Sequence, residues 1–158
     1  MIEVYGNAWE LAENYDVLCI TTNGMVKNNG ECVMGRGIAS QFKTKYPFAP
    51  KILGDKIKQN GNIFQAIMWS DDITYVAFPV KHHWSEAADF DLIKKSANAL
   101  ACLANEAPDK KFLLPRPGCG NGRQDWNVVK PIISDILPDN VHIVHFSKES
   151  WQYNKNVI

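Results

Sequence analysis

VMGRGIASQFK at Val33–Lys43 and PRPGCGNGRQDW at Pro115–Trp126 decide the fold. Each stretch runs from an apolar, strand-like segment through a glycine-rich loop into a helical pattern. Glycine bares backbone N–H groups, and a helix N-terminus behind the loop adds its own unpaired donors. Such a loop cradles an anion without any fixed charge. One loop of this kind is more often a plain corner than a site. Two of them, each between a strand and a helix, point to a diphosphate gripped from both sides.

Outward from these loops, β-like and helical runs alternate. Ile2–Tyr5 and Asp16–Thr22 read as strands around a short helix at Ala8–Asn14, and the second is apolar almost throughout, as a buried central strand is. Arg36–Tyr46 reads as a helix stopped by Pro47, and Pro50–Gln59 as another ended by Gly61. Ile63–Trp69 and Ile73–Val80, joined by a turn at Ser70–Asp72, read as antiparallel neighbours, which makes the sheet mixed. Phe90, Ile93, Ala97, Leu100 and Ala104 fall on one face of a long helix capped by Asp89. Lys111–Pro115 is the strand before the second glycine loop, and Val141–Phe146 closes the sheet. Val128–Leu137 has a helical apolar pattern, and Pro131 places the start of that helix near Val128 rather than at Asp125. The expected architecture is α/β, a three-layer α/β/α sandwich with ligand loops at strand ends.

With 158 residues, 46% apolar content and five tryptophans, the chain fills one core, so residues 1–158 are expected to form a single domain. Lys plus Arg and Asp plus Glu number 17 each, so no global field attracts nucleic acid and any such contact is local. Cys19, Cys32, Cys102 and Cys119 form no C-x-x-C pair and no zinc-ligand spacing, the pattern of a reduced, metal-free cytoplasmic protein. The first ten residues lack the basic start and apolar run of an export signal, and no apolar stretch reaches membrane-spanning length. A soluble monomer is expected.

Asn23, VMGRGIA at Val33–Ala39 with SQFKTKYP behind it, FPVKHHW at Phe78–Trp84 and GCGNGRQDWNVVKPII at Gly118–Ile133 together resemble a macrodomain. Within that family the chain is similar to the branch holding the terminal ADP-ribose protein glycohydrolase and the antitoxin macrodomains that remove ADP-ribose from DNA. The motifs run in order along nearly the whole chain. The resemblance implies that Asn23 sits by the distal ribose and that Met34, Gly35, Gly37, Ile38 and Ala39 wrap the diphosphate. Gly118, Cys119, Gly120, Asn121 and Gly122 would close over the phosphates from the opposite side, with Pro79 beside them. Asn7 stands where many macrodomains place an aspartate that reads adenine, and Phe146 or Trp151 would stack on that base. Lys81 aligns with the lysine on which hydrolysis depends. Its amine would attack the anomeric carbon if neutral, or stabilise the departing group if charged.

The implied activity is hydrolysis of an ADP-ribosyl bond, with no metal or cofactor, because backbone amides handle the phosphates. A phosphatase acting on ADP-ribose 1″-phosphate and a non-catalytic reader of ADP-ribose share the same fold. Gly122 stands where the protein-directed glycohydrolase has an aspartate, and Asp125 reads as a helix cap rather than its substitute. This tilts the expected partner toward nucleobase-linked ADP-ribose, with local contact to modified DNA, or toward a free small molecule. GMVKNNGEC between Asn23 and Val33 is either a lid or a surface hairpin, and Lys27 and Lys43 offer local positive charge. Of the adjacent His82 and His83, at most one faces the ligand. His142 and His145 read as structural, and Cys119 as a neutral small side chain.

Overall fold

A computed structural model describes residues 1–146, so Trp151 lies outside the described residues. The elements are β1 (Ile2–Tyr5), α1 (Ala8–Ala12), β2 (Val17–Thr22), α2 (Gly37–Lys45), α3 (Ala49–Asn60), β3 (Gln65–Ser70), β4 (Ile73–Pro79), α4 (Phe90–Glu106), β5 (Phe112–Pro115), α5 (Trp126–Ser134) and β6 (Val141–His145). The sheet order is β1-β6-β5-β2-β4-β3. Every pairing is parallel except β3 with β4. Asp71 and Asp72, both at positive φ, form the two-residue turn between those two strands, which matches the twist of a tight hairpin.

Side-chain alternation along the strands builds two cores. Leu18, Ile20, Tyr75, Ala77 and Leu113 face Ala8 and Ala12 of α1, Phe42 of α2 and Leu53 of α3. Val17, Cys19, Val76, Phe78 and Leu114 face Ile93, Ala97 and Leu100 of α4 and Val129 and Ile133 of α5. Both faces of the sheet are therefore covered, which is why Val17, Leu18, Cys19 and Ile20 of β2 are apolar in succession and not in alternation. The architecture is the expected three-layer sandwich with a mixed sheet.

One helix start differs from the sequence reading. Helix α5 begins at Trp126, with Asp125 as its cap accepting from Asn127 N–H at 2.8 Å, and Pro131 lies inside it. The proline leaves the Asn127 carbonyl without its helical partner, but Asn127 and Pro131 both sit on the exposed side, so water replaces the lost bond. Burial of Val129 and Ile133 and the Asp125 cap outweigh one missing hydrogen bond. The segment after Asn23 is a hairpin. Val26 and Cys32 form an antiparallel bridge, Lys27 pairs with Glu31 at 3.6 Å, and Cys32 N–H donates to the Pro50 carbonyl of α3 at 2.9 Å.

Candidate functional site

The parallel strands β1, β6, β5, β2 and β4 end on one edge of the sheet, and a cavity of about 1110 Å³ opens there. That is slightly above the roughly 300–1,000 Å³ usual for small-molecule sites. Tyr5, His145, Pro115, Thr22 and Val80 mark the five strand ends on its wall. From β1 to β4 is four strand spacings, so the cavity spans roughly 19 Å at about 4.8 Å per strand. An elongated, two-ended ligand fits that shape.

The first glycine loop forms one wall. Met34, Gly35, Gly37, Ile38 and Ala39 all line the cavity. Arg36 caps α2 with extended backbone and no side-chain cap bond, so the first-turn N–H groups of α2 have no capping oxygen. They are free for an anion, and the helix dipole adds partial positive charge at the same point. Asn23 lines the cavity as well; its side-chain amide donates to the Val33 carbonyl at 2.9 Å, and its Oδ1 accepts from Met25 N–H at 3.0 Å. These bonds set the path of the loop.

The second loop forms the facing wall through Gly118, Cys119, Gly120, Asn121 and Gly122. It is a tight turn. Gly118 has φ +74°, and a Cβ at Gly122 would lie 2.5 Å from the Gly118 carbonyl oxygen. The turn therefore excludes any side chain at position 122, including the carboxylate found there in the protein-directed branch. Gly35 and Gly120 differ: a Cβ at either would meet nothing within 4 Å. Burial raises the Cys119 thiol to about 11, which keeps it neutral among these amides.

Lys81 follows β4 and lines the cavity, yet it is only 6% exposed. Its Nζ donates to the Trp84 carbonyl and to the Asn121 carbonyl, each at 3.2 Å. Burial lowers its pKa below the usual lysine value, and the nearby Arg123 and Arg36 guanidiniums lower it further. The backbone under it is pinned: Asn62 Nδ2 donates to the Lys81 carbonyl at 2.9 Å, and Gly24 N–H to the His82 carbonyl at 3.2 Å.

The opposite end is aromatic. Tyr5, Trp126, His145 and Phe146 line it, and Arg116 lies over the Trp126 ring at 4.8 Å. Glu3 fixes this corner, accepting from Trp126 Nε1 at 2.9 Å and Lys130 Nζ at 2.6 Å while sitting 3.6 Å from Arg116. Burial, then Arg116, depresses the pKa of His145. His145 ends β6, three strand spacings or roughly 14 Å from β4.

Two expected residues do not line the cavity. Asn7 caps α1, its Oδ1 accepting from Trp9 N–H at 2.9 Å and Glu10 N–H at 3.3 Å, while Tyr5 and Ala8 on either side reach the wall. Pro79 is buried, with its carbonyl accepting from Ser96 Oγ at 2.8 Å, and Val80 takes its place. His82 faces Asp89 and His83 faces Ser85, so neither reaches the cavity. Residues 24–32 lie off the cavity on α3, which makes that segment a hairpin rather than a lid. The guanidiniums on the wall are Arg36, Arg116 and Arg123, beside Lys81; Lys27 and Lys43 do not line it. The sequence reading missed Arg116, Arg123 and Trp126 although all three lie inside the second quoted loop; their type and place beside a phosphate cradle were the available signal. No Asp or Glu among the described residues lines the cavity. Among the described residues no three His, Cys, Asp or Glu side chains are grouped to hold a metal ion, and no helix is long and apolar enough to cross a membrane.

An α/β sandwich with an elongated cavity between two glycine loops is a nucleotide-diphosphate site in form. No protein-family model matches the chain. It is 31% identical over 122 residues to the bovine ADP-ribose glycohydrolase OARD1, covering 75% of this chain and 77% of that one. It is 29% identical over 112 residues to the DNA ADP-ribosyl glycohydrolase of Thermus aquaticus, covering 66% of this chain and 31% of that protein's length. The solved macrodomain of Thermus aquaticus DarG superposes with a TM-score of 0.71 at 25% identity, covering 92% of this chain and 97% of that one. The chain belongs to the macrodomain family.

Proposed function

We propose that the chain binds ADP-ribose in this cavity and hydrolyses an ADP-ribosyl bond, with Lys81 as the reacting group and nucleobase-linked ADP-ribose as the substrate. Relatives named ADP-ribose glycohydrolase and DNA ADP-ribosyl glycohydrolase support both the ligand and the bond. The observation that carries the reading is the buried Lys81 amine on a cavity wall that has no carboxylate among the described residues. Those residues offer no acid–base pair of the usual glycosidase kind, and the Lys81 amine is the nucleophile placed on the wall.

As a neutral amine Lys81 would place its two N–H groups on the carbonyl acceptors of Trp84 and Asn121 and keep its lone pair for the substrate. Desolvation and the two guanidiniums favour that form. In the proposed reaction the lone pair bonds to C1″ of the distal ribose as the glycosidic bond breaks, and the bond's electron pair leaves with the base, which takes the proton that the newly bonded lysine nitrogen gives up. Water then replaces the amine on C1″, returning a proton to the amine. One water is consumed, and ADP-ribose and the strand with its unmodified base depart.

Offering an ADP-ribosylated thymidine oligonucleotide, ADP-ribosylated protein and ADP-ribose 1″-phosphate in parallel tests this reading. Release of ADP-ribose from the oligonucleotide is expected. Loss of the 1″-phosphate alone identifies a phosphatase, and binding without turnover identifies a reader.

A further inference from the structure

The cavity mouth carries an exposed indole with no part in the chemistry proposed above. Trp84 lines the cavity and is 52% exposed. Its carbonyl accepts from Lys81 Nζ at 3.2 Å, which ties the residue to the wall that holds the amine. The His83 ring supports the indole, with centroids 5.5 Å apart and planes 31° off parallel. His83 is itself held by Ser85, Nδ1 to Oγ at 2.7 Å. An indole at a water-facing rim gains by burying its apolar face under a planar partner, and a supported ring gives up little freedom when that happens.

Positive charge sits beside this platform. Arg123 donates to the Ser85 carbonyl at 3.0 Å and lines the cavity. Arg36, exposed on the facing loop, lines it too. Guanidiniums next to a stacking surface recognise phosphates beside a base, whereas a carboxylate-linked ADP-ribose would present no π face to the indole.

We propose that Trp84 is the leaving-group platform of this site, stacking on the nucleobase that carries ADP-ribose, while Arg36 and Arg123 take the flanking phosphates of a single-stranded polynucleotide. The inference rests on the hydrolase reading and deepens it. A single strand follows from geometry, because a base lying on an indole has left the duplex stack.

The test compares wild type, Trp84→Ala and Trp84→Leu on two substrates: a single-stranded oligonucleotide ADP-ribosylated on one thymine, and a peptide ADP-ribosylated on glutamate. Calorimetric affinity for ADP-ribose is measured on the same samples. Both variants should lose about 5- to 150-fold in kcat/KM on the oligonucleotide, the rate equivalent of one base–aromatic stack. Affinity for ADP-ribose and any release from the peptide should stay within about twofold of wild type. Trp84→Leu keeps bulk without a π face, so it carries the comparison if the alanine variant does not fold. Arg36→Gln should flatten the salt dependence of oligonucleotide binding by about 0.7 in log–log slope. Unchanged turnover of the oligonucleotide in both variants overturns the proposal, as does an equal loss on the peptide or in ADP-ribose affinity. Wild type that cleaves the peptide and not the oligonucleotide overturns it, and the nucleobase-linked substrate with it, while leaving hydrolysis of an ADP-ribosyl bond in place. Wild type that cleaves neither ends both.

Discussion

Lys81 Nζ donates to the carbonyl of Asn121 at 3.2 Å, so the amine delivered by β4 is tied to the glycine loop that forms the facing wall. Two segments 40 residues apart in sequence meet at one hydrogen bond. The position of the amine and the position of the loop are thereby coupled.

If the neutral amine is the reacting form, the pH–rate profile has a definite sign. Activity should rise about tenfold per pH unit below the Lys81 pKa and level off above it. A charged lysine that only stabilised the leaving group would give the reverse, with activity falling as pH rises through that pKa. The lowered pKa also bears on stability. Between the folded and unfolded pKa values the unfolded chain binds more protons at Lys81, so this group's contribution to stability grows as pH rises through that window. Urea unfolding at a series of pH values on wild type and Lys81→Met isolates the effect.

The glycines of the two loops separate by what a Cβ would meet. At Gly35 and Gly120 it would meet nothing, so alanine there should leave stability within about 0.5 kcal/mol while weakening ADP-ribose binding about tenfold or more by filling ligand space. At Gly122 it would strike the Gly118 backbone, so alanine should cost about 1–3 kcal/mol in stability. Thermal melts paired with calorimetry distinguish the two classes. A stable Gly122→Ala protein would refute the packing argument.

Asn62 holds the Lys81 carbonyl from outside the cavity, with its own Oδ1 buried and unpartnered. It is a positioning residue. Asn62→Ala should lower stability by about 1–3 kcal/mol by orphaning that carbonyl, and should lower kcat while changing ADP-ribose affinity little. A parallel loss of affinity with no change in kcat would mean that Asn62 shapes the cavity and not the amine.

Much of this molecule could be read from the chain because its signals are local. The apolar run of Val17–Thr22 announces a strand buried on both faces, and Asp89 before a helical stripe announces a cap. Gly35 and Gly120 mark the cradle because baring the backbone is a property of the residue itself. What could not be read depends on contacts between distant segments. Pro131 suggested a later start for α5, but the burial of Val129 and Ile133 against β-strand residues decides the helix. Asn7, which the resemblance places by the base, uses its Oδ1 to cap α1. Arg116 joins the wall because Glu3, on another strand, sits 3.6 Å away. Nothing in FPVKHHW says that both histidines turn aside while Trp84 faces the cavity.

The most direct measurement pairs release of ADP-ribose from the modified oligonucleotide with calorimetric affinity for ADP-ribose in Lys81→Ala. Turnover should fall by about a thousandfold or more, with affinity within about threefold of wild type. Wild-type turnover in that variant would contradict the assignment of Lys81 as the reacting group.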